Sequence, residues 1–350
     1  QRLGVPETLL CAYAITDFKP VDAQIQIRGE PNELGPVVKR RVPKFLSRDV
    51  DLDIPDGSSG RLQLAQWLTR PEHPLTARVM VNRIWQHHFG KGIVATPSNF
   101  GLRGDAPTHP ELLDYLAARF VESGWSIKAI HRLILLSKTY QLSSAYQASD
   151  ATRDPANKFY WRFDRRRLDA ESIRDAMLAA AGNLDLTRPG AHPFPKIEDW
   201  HWTQHNPFKA VYDSNHRSVY LMTQRIQRHP YLALFDAPDA NTSTDVRADS
   251  TVPLQALYLM NNKFVQEQAA ALAKRMVSMA DTTSERIRLA GELAWSRQPT
   301  AKEIKRAARF LEHYRKELAD SGVAEAKCEL ETWTSYARVV LTANEFFYVD

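Results

Sequence analysis

Arg78, Asn82 and Gln86 fall at i, i+4 and i+8 in the stretch ARVMVNRIWQHHF, with Arg83 and His87 on the flank. On a helix that spacing lines them up in one stripe. A guanidinium and two amides in file supply directed donors and acceptors, a chemistry suited to an anionic or polyhydroxyl ligand. The same groups also serve as a static network tying loops to a helix, the commoner use of such side chains. Arg165, Arg166 and Arg167 form a second cluster. Consecutive arginines can grip phosphate or sulfate; with Glu171 and Asp175 close in sequence they equally suit ion pairs at a helix entry. His201 and His205 lie four residues apart beside Glu198 and Asp199. They are a candidate metal pair, although WHWTQHN has no strong helix signal and lacks the glutamate of an HExxH site. No nucleophile elbow, phosphate loop or dinucleotide glycine pattern occurs.

These groups need helices to position them, and the helices are well marked. Leu62, Leu64, Ala65 and Leu68 follow Gly60 and stop at Pro71. Val81, Ile84, Trp85 and His88 recur at 0, 3, 4 and 7, and Gly90 supplies a left-handed cap. Thr108 and Glu111 read as a capping box, with Pro110 in the first turn and Gly124 at the end. Ser126 caps a further helix through Ile130 and Ile134. Short links between amphipathic helices predict antiparallel neighbours around a shared core. Later, Asp169 reads as the cap of a helix ending at Gly182, and Pro253 opens one that Asn261 and Asn262 interrupt. Helices are also expected from Lys263 to about Met279, then over roughly 283–295, 300–318 and 326–342.

The remaining segments read differently. Residues 9–30 alternate loosely, which predicts two strands around Lys19 and Pro20. VPKFL (42–46) leads into an extended connector ending at Asp56 and Gly57. Residues 145–167 read as a polar link, and SVYLMTQR (218–225) as a strand. The segment 183–216 is irregular and rich in proline and aromatics, including Trp200, Trp202, Phe208 and Tyr212. Those aromatics suit a sugar-stacking platform or a cover for the bundle. The final NEFFYVD is expected to leave in extended form. The fold class is therefore mainly α: a multi-helix bundle with short β segments near the N-terminus and mid-chain. The expected organisation is an extended or β element over 1–57 and a helical domain over 58–350. In that domain the halves 58–182 and 253–350 pack together around an irregular insert, 183–252.

Bulk properties narrow the function. The 350 residues, 43% of them hydrophobic, can bury a sizeable core. A net charge of +5 is compatible with polyanion contact without arguing for it. No basic groove interleaved with aromatics appears, which argues against nucleic acid. No run approaches the roughly 18 apolar residues of a membrane span. The two cysteines, Cys11 and Cys328, make no disulfide framework. There is no C-x-x-C-H, so no c-type haem attaches to this chain. The start, Gln rather than Met with no signal pattern, reads as an excised or processed piece of a longer protein.

The runs LAQWLTRPEHPLTARVMVNRIWQHHFGKGIVATPSNFG, HPELLDYLAARFVESGW, RRRLDAESIRDAML, FDAP, PLQALYLMNN and NEFFYVD together resemble one family. It is the planctomycete-specific C-terminal domain of unknown function found in large exported proteins. The resemblance covers about residue 12 to residue 350. It implies export, and upstream domains in the same polypeptide that often include a c-type cytochrome; any haem would sit there. It brings no catalytic residues. Two departures stand out: TYQLSS (139–144) lacks the arginine usual after the tyrosine, and NHRSVY (215–220) has one arginine before the serine where two are usual. Two function classes follow. One is a non-catalytic module that docks or scaffolds upstream domains, which requires an exposed apolar patch. The other is part of an extracellular enzyme acting on complex carbohydrate, which requires a concave pocket with convergent polar groups.

Overall fold

Apolar residues spaced by three and four, closed by capping side chains, build most of this chain into helices. The computed structural model describes residues 14–47, 52–190 and 211–349. It is mainly α, with two small two-stranded sheets among those residues. The chain divides into two units, residues 1–140 and 141–350.

In the first unit, α2 (Arg61–Leu68), α3 (Thr76–Phe89), α4 (Pro110–Glu122) and α5 (Ile127–Leu135) follow the spacing and punctuation of the sequence. Helices α3, α4 and α5 pack on one another, burying Val81, Ile84, Trp85, Leu113, Leu116, Phe120, Ile130 and Ile134. Trp85 stacks on Phe89, ring centroids 4.2 Å apart. Gly90 closes α3 in the left-handed region at φ 79°, and the Ser126 side chain caps α5 by accepting from Ala129 N. The start of α3 is held by His73, whose Nδ1 accepts from Thr76 N at 3.1 Å. Thr108 is not part of a capping box: α4 begins after His109, without a side-chain cap. Thr108 Oγ1 instead donates to Ile93 O at 3.3 Å, tying the preceding loop to the helix entry.

The first sheet differs from the sequence expectation. Strands β1 (Ala23–Gln26) and β2 (Leu34–Val38) pair antiparallel around the turn-rich RGEPNE segment. Strand β1 lies within the expected run after Lys19 and Pro20, the expected strand before them falls largely outside the described residues, and β2 occupies a segment not expected to be a strand. The reason is chemical: Arg28 and Gly29 adopt positive φ within the true turn, whereas proline offers no ladder donor and no such freedom. VPKFL does not stay extended; its end forms a short helix α1 (Lys44–Ser47).

In the second unit the core gathers around α10 (Lys263–Met279), which packs on α7 (Ala170–Ala181) and α13 (Glu325–Leu341). Val265, Ala269, Leu272, Ala273 and Met276 are fully buried along it. Asn262 ends α9 (Pro253–Asn261) and caps α10, its Oδ1 accepting from Phe264 N at 2.9 Å. Helices α11 (Thr283–Trp295) and α12 (Ala301–Asp320) both open with capping boxes, Thr282 with Glu285 and Thr300 with Glu303. The polar link holds a short α6 (Ala148–Arg153), and Pro230–Leu234 forms α8. SVYLMTQR is not a strand: Ser218–Tyr220 make a single 3-10 turn and the rest is irregular. Its Ser218 is drawn out of any ladder by Asp175, as described below. NEFFYVD also departs from expectation, forming α14 (Asn344–Phe347) and then β4 (Tyr348–Val349). Strand β4 pairs with β3 (Arg166–Arg167), which supplies the mid-chain β segment.

Candidate functional site

The entry of α7 gathers the second unit's polar chemistry. Strand β3 holds Arg167 beside the helix entry, and Asp169 caps the helix by accepting from Ser172 N at 2.8 Å. The Arg167 side chain, only 9% exposed, reaches four partners. It donates to Asp249 Oδ1 at 3.0 Å, to Gln255 Oε1 at 3.0 Å and to Ser250 O, and lies 3.6 Å from Asp236. Asp236 in turn accepts from Ser250 N at 2.9 Å and Ser250 Oγ at 2.8 Å. The Gln255 amide donates to Leu234 O at 2.9 Å. Three sequence-distant motifs, RRRLDAES, FDAP and PLQAL, thus meet on one guanidinium. A fork of five donors suits this role, because each arm can meet a differently placed acceptor.

One turn further along, Arg174 is buried and clamps the segment 214–218. Its guanidinium donates to His216 O and Ser218 Oγ, both at 3.1 Å, and to Ser214 O. Asp175 completes the clamp by accepting from Ser218 N at 2.7 Å and Ser218 Oγ at 2.6 Å. Nearby, burial and then the Arg174 charge hold His229 below the ordinary histidine range. Burial pushes the Tyr258 hydroxyl up to about 12, and Tyr231, which donates to Ala170 O at 2.8 Å, is pushed up for the same reason.

Above these clamps lies an open cleft of about 320 Å³ whose walls include Asp169, Glu171, Asp175, Arg217 and Arg247. Its carboxylates are already engaged. Glu171 takes both arms of Arg247, at 2.6 and 3.2 Å, Asp169 caps α7, and Asp175 holds Ser218. Such a set fixes backbone; a general acid or base needs a free edge aimed at a reacting group.

The residues singled out by sequence fall in both units. Asn82 is fully buried and spans to the loop after α3, donating to Val94 O at 3.0 Å and accepting from Val94 N at 2.8 Å. Arg78 pairs with Asp114 of α4 at 2.6 Å and donates to Pro74 O. Arg83 is exposed and Gln86 half-buried. Arg167 belongs to the α7 site, while Arg165 is exposed beside it. His201 and His205 lie outside the described residues. Among the described residues no set of His, Cys, Asp or Glu side chains is arranged to hold a metal ion, and no helix is long and apolar enough to cross a membrane. Sequence reasoning missed Asp236, Ser250, Gln255, Ser218 and Arg247. FDAP and PLQAL had drawn notice only as motifs, and nothing local announces that they share a partner.

Among the described residues, Arg167 and Arg174 of the α7 entry hold loops of the same unit through internal polar clamps. The chain belongs to the family described as PSD1, protein of unknown function (DUF1553), whose model matches residues 60–311. No curated protein and no solved structure matches it.

Proposed function

We propose that this chain is a non-catalytic docking module of a larger exported protein, covering or positioning upstream domains of the same polypeptide. The observation that carries this reading is the N-terminal hairpin, which is tied down by polar groups and leaves its apolar ones bare. Arg40 donates to Asp22 at 2.8 Å and to Ser58 O at 2.6 Å. Asp17 accepts from Ser59 N at 2.9 Å and pairs with Arg61. Meanwhile Phe18 and Phe45 are each 85% exposed, and Ile25, Leu34 and Val37 of the two strands are exposed as well. A two-stranded hairpin with no buried face is marginal in water, and clustered exposed apolar side chains mark interaction surfaces. Any haem chemistry belongs to the covered domain, since this chain has no attachment motif.

Hydrogen exchange tests the proposal. Amides of residues 23–38 should exchange rapidly in the isolated chain and become protected when the chain is joined to its natural upstream domains. Equal exchange in the two contexts would sink it.

A further inference from the structure

Helix α12 presents a row of exposed cations that make no ion pair among the described residues, although Glu312 and Asp320 lie within a helical turn of Lys316. Lys302, Arg306, Arg309 and Lys316 follow at steps of four, three and seven, with Lys305 and Arg315 on the flanks, and all six are exposed. None has a side-chain partner among the described residues. Steps of three and four place the row on one helix face, and at 1.5 Å per residue it runs about 21 Å. Arginines elsewhere in this unit are differently placed: Arg167, Arg174, Arg286 and Arg297 each bind carboxylates or carbonyls. Like charges three and four apart on a helix repel, as Lys302, Arg306 and Arg309 do, whereas Glu312 and Asp320 offset Lys316. The helix holds through its capping box and its inner face, where Ala307 and Leu311 are buried.

Beside the row, a groove of about 690 Å³ opens between α12 and α13, floored by Leu311 and Trp333. Its rim mixes signs: Arg315 and Lys316 supply donors, and Glu312 and Glu329 supply acceptors.

We propose that this face of α12 and the adjoining groove dock a linear acidic polysaccharide, a hydroxyl-rich chain carrying carboxylates at regular intervals. The single row of cations meets the charges, and the rim carboxylates accept hydrogen bonds from hydroxyls. Other polyanions fit less well. No large apolar side chain is exposed on α12, so the helix has nothing to insert into a membrane interface. Phe310 and Tyr314 stack on each other, half-buried rather than displayed, which leaves no platform for unpaired bases. A polyglutamate chain would bring no side-chain hydroxyls to Glu312 and Glu329.

The test is equilibrium binding of polygalacturonate to the whole chain at low and raised salt. We expect salt-sensitive binding that weakens by about tenfold or more in the triple variant Lys302→Ala, Arg306→Ala, Arg309→Ala, since affinity for a polyanion scales with the contacts made. A control variant, Arg103→Ala, Lys138→Ala, Arg153→Ala, removes the same charge from exposed positions elsewhere and should bind like the parent. Circular dichroism melts confirm that each variant is folded. Absence of binding by the parent, or equal losses in the two triple variants, overturns the assignment to α12. Binding of polyglutamate or duplex DNA as tight as that of polygalacturonate overturns the assignment to polysaccharide. Residues 14–47 are unchanged in every arm, so the outcome is separate from that of the hairpin experiment.

Discussion

Asn82 and Val94 are joined by a closed pair of hydrogen bonds: the amide of one takes both the N–H and the carbonyl of the other. The pair is possible because Gly92 lies between them. A Cβ there would stand 2.7 Å from Asn82 Nδ2 and 2.5 Å from Val94 O. Replacing Asn82 by alanine strands two buried backbone groups at roughly 1–3 kcal/mol each. Urea denaturation of Asn82→Ala should therefore show a clearly lowered midpoint, and Gly92→Ala should move the same way. A parent-like midpoint for Asn82→Ala would show that water or repacking replaces the clamp.

Arg167→Ala should be more damaging. Removing the part-buried guanidinium leaves Asp236 without its counter-charge and Gln255 and Ser250 O without their donor, at roughly 1–3 kcal/mol for each group left unsatisfied. Arg167→Lys retains the charge but not the fork, so it should fall between alanine and parent. Thermal melts of the three proteins check the order; a lysine variant as stable as the parent would show that charge alone suffices.

Burial holds His73 and His229 below the usual histidine value. Each accepts a backbone hydrogen bond at Nδ1, from Thr76 N and Leu232 N respectively, so each ring must be neutral there. Between the depressed folded value and the ordinary one, about 6.5, the unfolded chain takes up the proton more readily. Stability should thus decline as pH falls below about 6.5, until the folded value is passed. Measuring the denaturation midpoint of parent and His229→Gln from pH 8 to pH 5 should show a smaller decline in the variant. Parallel curves would contradict this.

Glu303 acts in the same sense, but in a more acidic window. The Arg297 guanidinium, first among the causes, and the Thr300 backbone hold its carboxyl down at about 2. The contribution is full above the ordinary carboxylate range and is lost as pH falls toward that value. The stability gap between parent and Glu303→Gln should therefore narrow steadily from pH 5 to pH 2. A gap that ignores pH would assign the effect to helix capping rather than to ionisation.

Local chemistry was the legible part. Ser126 and Asp169 announced their helices because a cap is a contact between near neighbours, and the Asn261–Asn262 break appeared where written. Strand β1 fell within the expected run, but its partner β2 was missed because loose alternation on an unburied strand carries little register information. NEFFYVD looked extended because the partner of Tyr348 and Val349 lies at residues 166 and 167. The α7 site was half visible: Arg167, Glu171 and Asp175 stood out as charges, but Asp236 and Ser218 acquire their roles only through partners far away in sequence.

That same β3–β4 pairing has a consequence for how the protein is made. Leu168 N donates to Phe347 O at 2.7 Å, next to the two-residue ladder, so the start of the second unit is stitched to residues synthesised some 180 positions later. During translation, Arg167 and the α7 entry must wait with their strand unpaired until residue 349 clears the ribosome. Late, non-local closure of this kind slows folding and prolongs exposure of an open edge. The α7 entry is therefore a part of this chain that completes its pairing only after synthesis of the last residues described.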